Sequence, residues 1–392
     1  LSSVKSYNPQ TKEIEAEGTN LGILPENGNL FYLSNSLALV DSPGEWFKDK
    51  ENGRLYFYFP EGKTPTDLKI EARKNEYALR VENSSFVSFE GINIYGGKVS
   101  AADNTSNISF KNIIFEGLDC NYAKGRMRYA KGIELGGENN TVAKCEIKNM
   151  FGTGISVSGA KNRIINNYIH DINFEHNNGA NGITLSGKNH LISRNTVERT
   201  GRSAVGGRFE ACVISYNDLS DASKISRDSG VMYFNAHDYE NSEIHHNIIH
   251  DSMDNEGLQY ALYLDSFTSS MVIYKNLIFG NETDAADYKR LSLLVSFNCL
   301  NNLIANNTFI NSHEIPYYNC DLSGTVFINN LFRGASYNAQ SLADGGSGAL
   351  FKNNLSGSEE NFRSDWQSPE NGDYTLKASS EAVDGGIKIS GI

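Results

Sequence analysis

The chain has 392 residues, enough for one long solenoid or two ordinary domains, and its formal net charge is −12. That acidity excludes a protein that wraps nucleic acid, which needs a basic stripe for the phosphates, and speaks against an anionic membrane surface as partner. No apolar run approaches the roughly 20 residues that span a bilayer.

The chain opens at Leu1 without a charged-then-apolar leader. Residues 1–75 read as a small β module, with AspSerProGlyGluTrpPhe at 41–47 followed by GlyArgLeuTyrPheTyrPhePro at 53–60. A solenoid exposes strand edges and apolar columns at both ends, so this module is expected to seal the first coil, with Trp46 packing inside it.

From residue 76 to 356 a short pattern returns: an aliphatic residue, two residues, an anchor, one residue, another apolar residue. The anchor is Asn at 167, 195, 217, 247, 276, 307 and 330; Asn112 fits another copy, and Ile92 and Cys145 hold the place in two early ones. Three positions before it stand Val142, Ile164, Ile192, Ile214, Ile244, Ile273, Ile304 and Phe327. Two positions after it stand Ile114, Ile147, Ile169, Val197, Leu219, Ile249, Ile278, Phe309 and Phe332. Inward residues of one strand recur at even spacing, and five is odd, so the chain must bend between the columns. The bend is expected at the Asn, which tolerates the left-handed conformation and can stack its amide from coil to coil.

Anchor intervals of 22, 30, 29, 31 and 23 imply a bare coil of about 22 residues plus loops. A third strand precedes many anchors: GlyIleGluLeu at 132–135, GlyIleSerVal at 154–157, GlyIleThrLeu at 182–185, GlyValMetTyr at 230–233 and AlaLeuTyrLeu at 261–264. The expected fold is all-β, a right-handed parallel β-helix of three short strands per coil and about ten coils. Residues 357–392 are expected to close the last coil. The five cysteines are odd in number and form no CxxC pair, so neither a disulfide framework nor a zinc site is expected. Cys145 and Cys212 read as small buried hydrophobes.

These features resemble the right-handed parallel β-helix proteins of the pectate-lyase-like superfold. The 41–60 segment and AspTyrThrLeuLysAlaSerSerGluAlaValAspGlyGly at 373–386 are similar to terminal segments of carbohydrate-active members. The resemblance implies a carbohydrate substrate and an extracellular, periplasmic or cell-surface location.

Insertions at 173–181, 220–229, 252–260 and 280–290 point to a groove on the middle coils. If Leu262 and Leu264 face the core, Tyr263 and Asp265 face that groove. Asp228, in ArgAspSerGlyValMetTyr, opens the equivalent strand one coil earlier. The pair resembles the AspSerGly…TyrLeuAsp pair of β-helix glycoside hydrolases of the fucosidase and xylanase type, implying paired-carboxylate catalysis. At opposite ends of neighbouring strands the two would stand beyond the roughly 5–9.5 Å that such catalysis requires. The loop at 220–229 must then fold back, or the partner of Asp265 is Glu256, Asp254 or Asp251.

Tyr233, Tyr263, Arg208, His237 and Glu256 are candidate substrate contacts, the tyrosines as stacking faces and the arginine as a ligand for acidic sugars. Phe234 and Tyr260 offer further stacking faces, and Arg194, Arg199, Arg202 and Arg227 complete a basic cluster in these coils. His170–Asp171 and His250–Asp251 each follow an Asn corner, where turn hydrogen bonding explains them. No cofactor is expected for a hydrolase. The alternatives are a lyase or epimerase acting on a uronate polymer, with Ca²⁺ for the lyase, and a non-catalytic tailspike-like or adhesin solenoid.

Overall fold

The computed structural model describes residues 3–17, 33–71, 73–118, 131–173, 179–226, 228–251, 259–279, 291–310, 320–333, 346–357, 365–368, 371 and 373–389. Leu1–Lys74 forms most of one compact unit, and Asn75–Ala123 with Met127–Ile392 the other. In the first unit, Trp46–Asp49 and Arg54–Phe57 form an antiparallel hairpin. Glu45 caps the preceding turn, accepting from the backbone N–H groups of Asp41 and Ser42 at 2.8 and 2.9 Å. Trp46 is 63% exposed, so it does not pack inside the module as the sequence suggested.

The second unit is built on three parallel sheets. The first runs from Tyr77–Val81 to Leu291–Val295, the second from Ser88–Glu90 to Leu350–Lys352, and the third from Asn93–Tyr95 to Leu355–Gly357. From Tyr77 to Ile310 successive coils give one strand to each sheet in that order, as Ile183–Lys188, Leu191–Ser193 and Thr196–Thr200 do, while Cys320–Asp321 and Gly346–Ser347 of the last coils pair separately. The Gly-led segments form the first sheet, and the two aliphatic columns line the inside of the second and third. Ile164, Ile192, Ile214, Ile244, Ile273 and Ile304 are all fully buried on successive rungs. In one early coil the register is a residue later than the sequence reading: Phe115, not Ile114, pairs with Ile147 and points inward.

Between the second and third sheets runs a ladder of buried asparagine amides. Asn167 donates its side-chain N–H to Asn195 Oδ1 at 2.9 Å, Asn195 to Asn217 at 3.0 Å, and Asn217 to Asn247 at 2.9 Å. Asn247, Asn276, Asn307 and Asn330 continue it, and Asn354, absent from the sequence pattern, receives the last bond at 2.9 Å. Each Oδ1 also accepts the backbone N–H of the preceding anchor, and each Nδ2 also donates to a carbonyl of the preceding coil, as Asn195 does to Ile164. The amide capacity of a mid-ladder Asn is thereby filled.

The left-handed residue of this corner is not the ladder Asn but the one before it. Lys144, Asn166, Arg194, Tyr216, His246, Lys275, Asn306, Asn329 and Asn353 all have φ of 53–56° or, for Tyr216, 57°. An anchor in the left-handed region would turn its amide out of the stack. The residue ahead of it carries the bend, and chains as different as Lys, Tyr and His fill that place.

A second polar column stands at the corner between the first and second sheets. Backbone N–H groups there reach Asn140 Oδ1, Asn162 Oδ1, His190 Nδ1, Cys212 Sγ and Ser242 Oγ in turn. Burial pushes the Cys212 thiol up to about 11 and also raises Cys145, in keeping with inert buried thiols.

On the outer face of the third sheet, Asp171 and Asp251 adopt φ of 55° and 52° and bond the neighbouring His170 and His250 at 2.5 and 2.6 Å. Neither contact closes a turn: the first pair lies inside the strand Tyr168–Ile172, where Asp171 also accepts from Arg199 at 2.9 Å, and His250 also meets Asp218 at 3.0 Å. Trp366–Ser368 and Asp373–Leu376 pair antiparallel, and Trp366 packs with Ile310 and Leu331 against that same outer face. Arg333, fully buried, bonds Asp365 at 2.6 Å there. The described part of the terminal segment thus lies along the side of the sheet, across the rungs of Phe279, Ile310, Leu331 and Leu355, and not simply over the last coil. Among the described residues no helix is long and apolar enough to cross a membrane.

Replacing Asn217 by Leu would orphan the backbone N–H and one Nδ2 hydrogen of Asn195 and remove the Nδ2 donor from the Ile192 carbonyl, all in dry surroundings. At about 1–3 kcal/mol per orphaned buried group, Asn217→Leu should destabilise by about 3 kcal/mol or more. Asn354→Leu, at the half-buried end of the ladder, should cost under about 1.5 kcal/mol, because water reaches the groups it frees. Denaturant midpoints of the two variants check the order.

Candidate active site

Two strands of the first sheet, Ser229–Phe234 and Gln259–Leu264, lie side by side and carry the site. Strict alternation breaks in both. Val231 with Met232, and Ala261 with Leu262, all enter the main core, while Tyr260 and Tyr263 join Leu294 and Tyr233 in a separate cluster. The double inward step moves an extra aromatic ring off the main core and into this second cluster, where Tyr260 and Tyr263 are buried. Tyr233 and Tyr263 are register partners, their rings edge to face at 5.1 Å, and Tyr260 lies 5.0 Å from Tyr263. One rung earlier the same column holds Gly206, whose missing side chain leaves room for the Asn181 amide.

Asp265 follows the second strand and opens a turn closed by Thr268 N–H donating to the Asp265 carbonyl at 3.1 Å. One carboxylate oxygen, Oδ1, accepts from Ser266 N–H at 2.6 Å and from Ser266 Oγ at 3.1 Å. The other, Oδ2, accepts the Tyr233 hydroxyl at 2.7 Å. The side chain therefore caps its turn with one oxygen and faces the tyrosine cluster with the other.

Asp228 directly precedes the first strand. It keeps an open face to solvent, yet burial of its carboxyl and then the negative charge of Asp265 raise its pKa, while Arg202 pulls the other way. Arg202 lies over the Tyr233 ring at 5.0 Å. Burial, then the bond to Asp265, pushes the Tyr233 hydroxyl far up; burial, then the charge of Asp265, does the same to Tyr263. Both phenols stay protonated, and Tyr233 donates to Asp265. The two carboxyls thus share one electrostatic field, with a cation and two phenols around them.

The other sequence candidates fall elsewhere. Arg208 is exposed and donates through Nε to the Asn235 carbonyl at 3.2 Å, tying down the turn before Ala236. His237 stands edge-on to Tyr239 and 3.8 Å from Glu210. No contact joins either of them to the carboxylates among the described residues. Glu256, Asp254 and Arg227 lie outside the described residues. Sequence reasoning missed Ser266, which fixes Asp265, and Tyr239, whose buried hydroxyl bonds the Gly207 carbonyl at 2.9 Å and receives Asn235 N–H at 3.1 Å. Neither carries a motif; only the fold brings them to this end of the strands. An open hollow in the early coils, lined by Asp103, Asn104, Ser158 and Lys188 among others, shares no residue with the cluster. Among the described residues no group of three or more His, Cys, Asp or Glu is arranged to hold a metal.

The fold and the recurring rungs define a class, and the sequence comparisons agree with it. The family model described as "Right handed beta helix region" matches residues 101–261 and 181–356, together well over half the chain. This chain belongs to that family. A second model, "GH141 insertion domain", matches residues 22–61. No curated protein matches the sequence. Among solved structures, pectate lyase Pel9A is similar at 13% identity, over 73% of this chain and 84% of that one, with a TM-score of 0.46. DFA-IIIase from Arthrobacter chlorophenolicus A6, in complex with GF2, is similar at 13% identity over 65% and 64%, TM-score 0.40. The Dettilon tailspike protein is similar at 17% identity over 69% of this chain, TM-score 0.38, and the chain spans 55% of its length.

The shared field gives a titration with definite signs. Asp265→Asn removes a negative charge, so Asp228 should titrate at lower pH than in the wild type. Arg202→Gln removes a positive charge, so Asp228 should titrate higher. Carboxyl ¹³C NMR titration reads both; a shift of the opposite sign in either variant would separate the two groups.

Proposed function

We propose that this chain is a glycoside hydrolase that cleaves a glycosidic bond with Asp228 and Asp265. Hydrolysis of this kind needs one carboxyl held protonated and one held ionised. The observation that carries the reading is geometric: the two carboxyls flank paired strands, Asp265 is held by Tyr233 and Ser266, and Arg202 lies over the Tyr233 ring. The pKa of Asp228 is raised by burial and by its neighbour's charge, which suits a proton donor. Asp265 accepts three hydrogen bonds, from Tyr233, Ser266 N–H and Ser266 Oγ, which suit a carboxylate.

In this mechanism Asp228 gives its proton to the glycosidic oxygen as the bond from that oxygen to the anomeric carbon breaks. Asp265, as carboxylate, either takes a proton from the attacking water or bonds to the anomeric carbon itself. Arg202 balances the charge of the pair, and Tyr233 orients Asp265. The match of residues 22–61 to a domain named for a glycoside hydrolase group supports the same reading. So does the sequence resemblance to β-helix hydrolases. The substrate is a polysaccharide or oligosaccharide met outside the cytoplasm.

Arg202 beside the carboxylates favours a second reading, a lyase or epimerase acting on a uronate polymer. Products distinguish the two. On a panel of plant, algal and host glycans, hydrolysis yields new reducing ends without ultraviolet-absorbing unsaturated ends. Asp228→Asn and Asp265→Asn should each lower kcat by about 10³-fold or more while leaving thermal unfolding cooperative. Unsaturated products, or near-normal turnover in either variant, would overturn the assignment.

A further inference from the structure

The turn that Asp265 opens presents an exposed aromatic ring. Phe267 occupies its third position with φ of 63°, a place that favours Gly or Asn. A bulky side chain is a backbone outlier there. The corresponding turn positions of the neighbouring rungs hold Ala236 at 47° and Asn298 at 54°. The phenyl ring is 59% exposed, so the core gains little from it. Phe297, whose carbonyl accepts the Phe267 N–H at 2.8 Å, is 44% exposed on the next rung.

Exposed aromatic residues stand in the left-handed region elsewhere in the coils, as Phe86 and Tyr216 do, so what sets Phe267 apart is its place beside Asp265. Phe267 is two residues from Asp265, no more than about 7.6 Å between Cα atoms. Ser266, the residue between them, holds the carboxylate through its N–H and hydroxyl. We infer that Phe267 is a stacking platform for a sugar ring, next to the unit held at the carboxylate pair. Its ligand is the apolar face of a pyranose or furanose unit in an oligosaccharide chain. The inference rests on the hydrolase reading for its choice of ligand, and it adds a subsite on the Asp265 side, so that the protein grips more than one sugar unit.

Two effects of opposite sign follow. Phe267→Asn relieves the backbone and removes the platform, so it should raise the thermal midpoint by about 1–2 °C while weakening binding. Affinity electrophoresis of the full chain through gels containing plant and algal polysaccharides reads the binding. The polysaccharide that retards the wild type should bind Phe267→Asn about tenfold more weakly, and Phe267→Trp at least as well as the wild type. Equal retardation of Phe267→Asn, a lowered midpoint, or no retardation of the wild type by any gel would overturn the platform. Asp265→Asn run in the same gels keeps the two claims apart. It should be retarded like the wild type though inactive, and residual activity in it counts against the hydrolase reading alone.

Discussion

The stacked asparagine amides between the second and third sheets set the terms for everything else in the second unit. Each amide fills its two donor and two acceptor places only when the rung above and the rung below are in register. A slip by one residue would flip the aliphatic columns to solvent and orphan the amides at the same time. The ladder therefore fixes which residues become neighbours across coils, however long the loop between them. Asp228 and Asp265 flank strands that pair on the same rungs where Asn217, Asn247 and Asn276 stack.

Register alone would leave the pair at the two ends of adjacent strands. What gathers chemistry around them is a local departure from the regular pattern. Two successive inward residues in each strand leave Tyr260 and Tyr263 together in a cluster off the main core, and Tyr233 bridges from one rung to the carboxylate of the next. Beneath the far end, Phe209, Phe234 and Tyr239 pack edge to face inside the coil and support the turns at Asn235 and Asp265. A regular rod thus becomes particular at one stretch, by a break in alternation, a glycine that leaves room for the Asn181 amide and a turn that presents an aromatic ring.

Much of this was legible in the amino-acid order. The inward columns and the ladder announce themselves because one residue type must do one job at every rung. The same logic explains the failures. The left-handed place ahead of each anchor has its side chain in solvent, so Lys144, Arg194, Tyr216 and His246 share a conformation without sharing a chemistry. The second polar column uses Asn, His, Cys and Ser for one task, which hides it from any search for repetition. In the early coil the ladder place is Ile113, and the neighbouring Asn112 draws the eye one residue off register. The terminal segment lies on the side of the third sheet because Arg333 and Asp365 bury each other there, a pairing across distant sequence that local patterns do not display. Alternation and family resemblance single out Asp265, while Tyr263, expected on the groove, is buried in the second cluster; the bonds of Ser266 and the turn place of Phe267 have no pattern in the sequence.

A crystal structure of Asp228→Asn with a bound oligosaccharide tests the central claim most directly. The account requires a glycosidic oxygen within hydrogen-bond reach of residue 228 and the attached anomeric carbon facing Asp265, on the rungs aligned by Asn217 and Asn247. A sugar chain seated on another sheet, or bridging neither side chain, would contradict it.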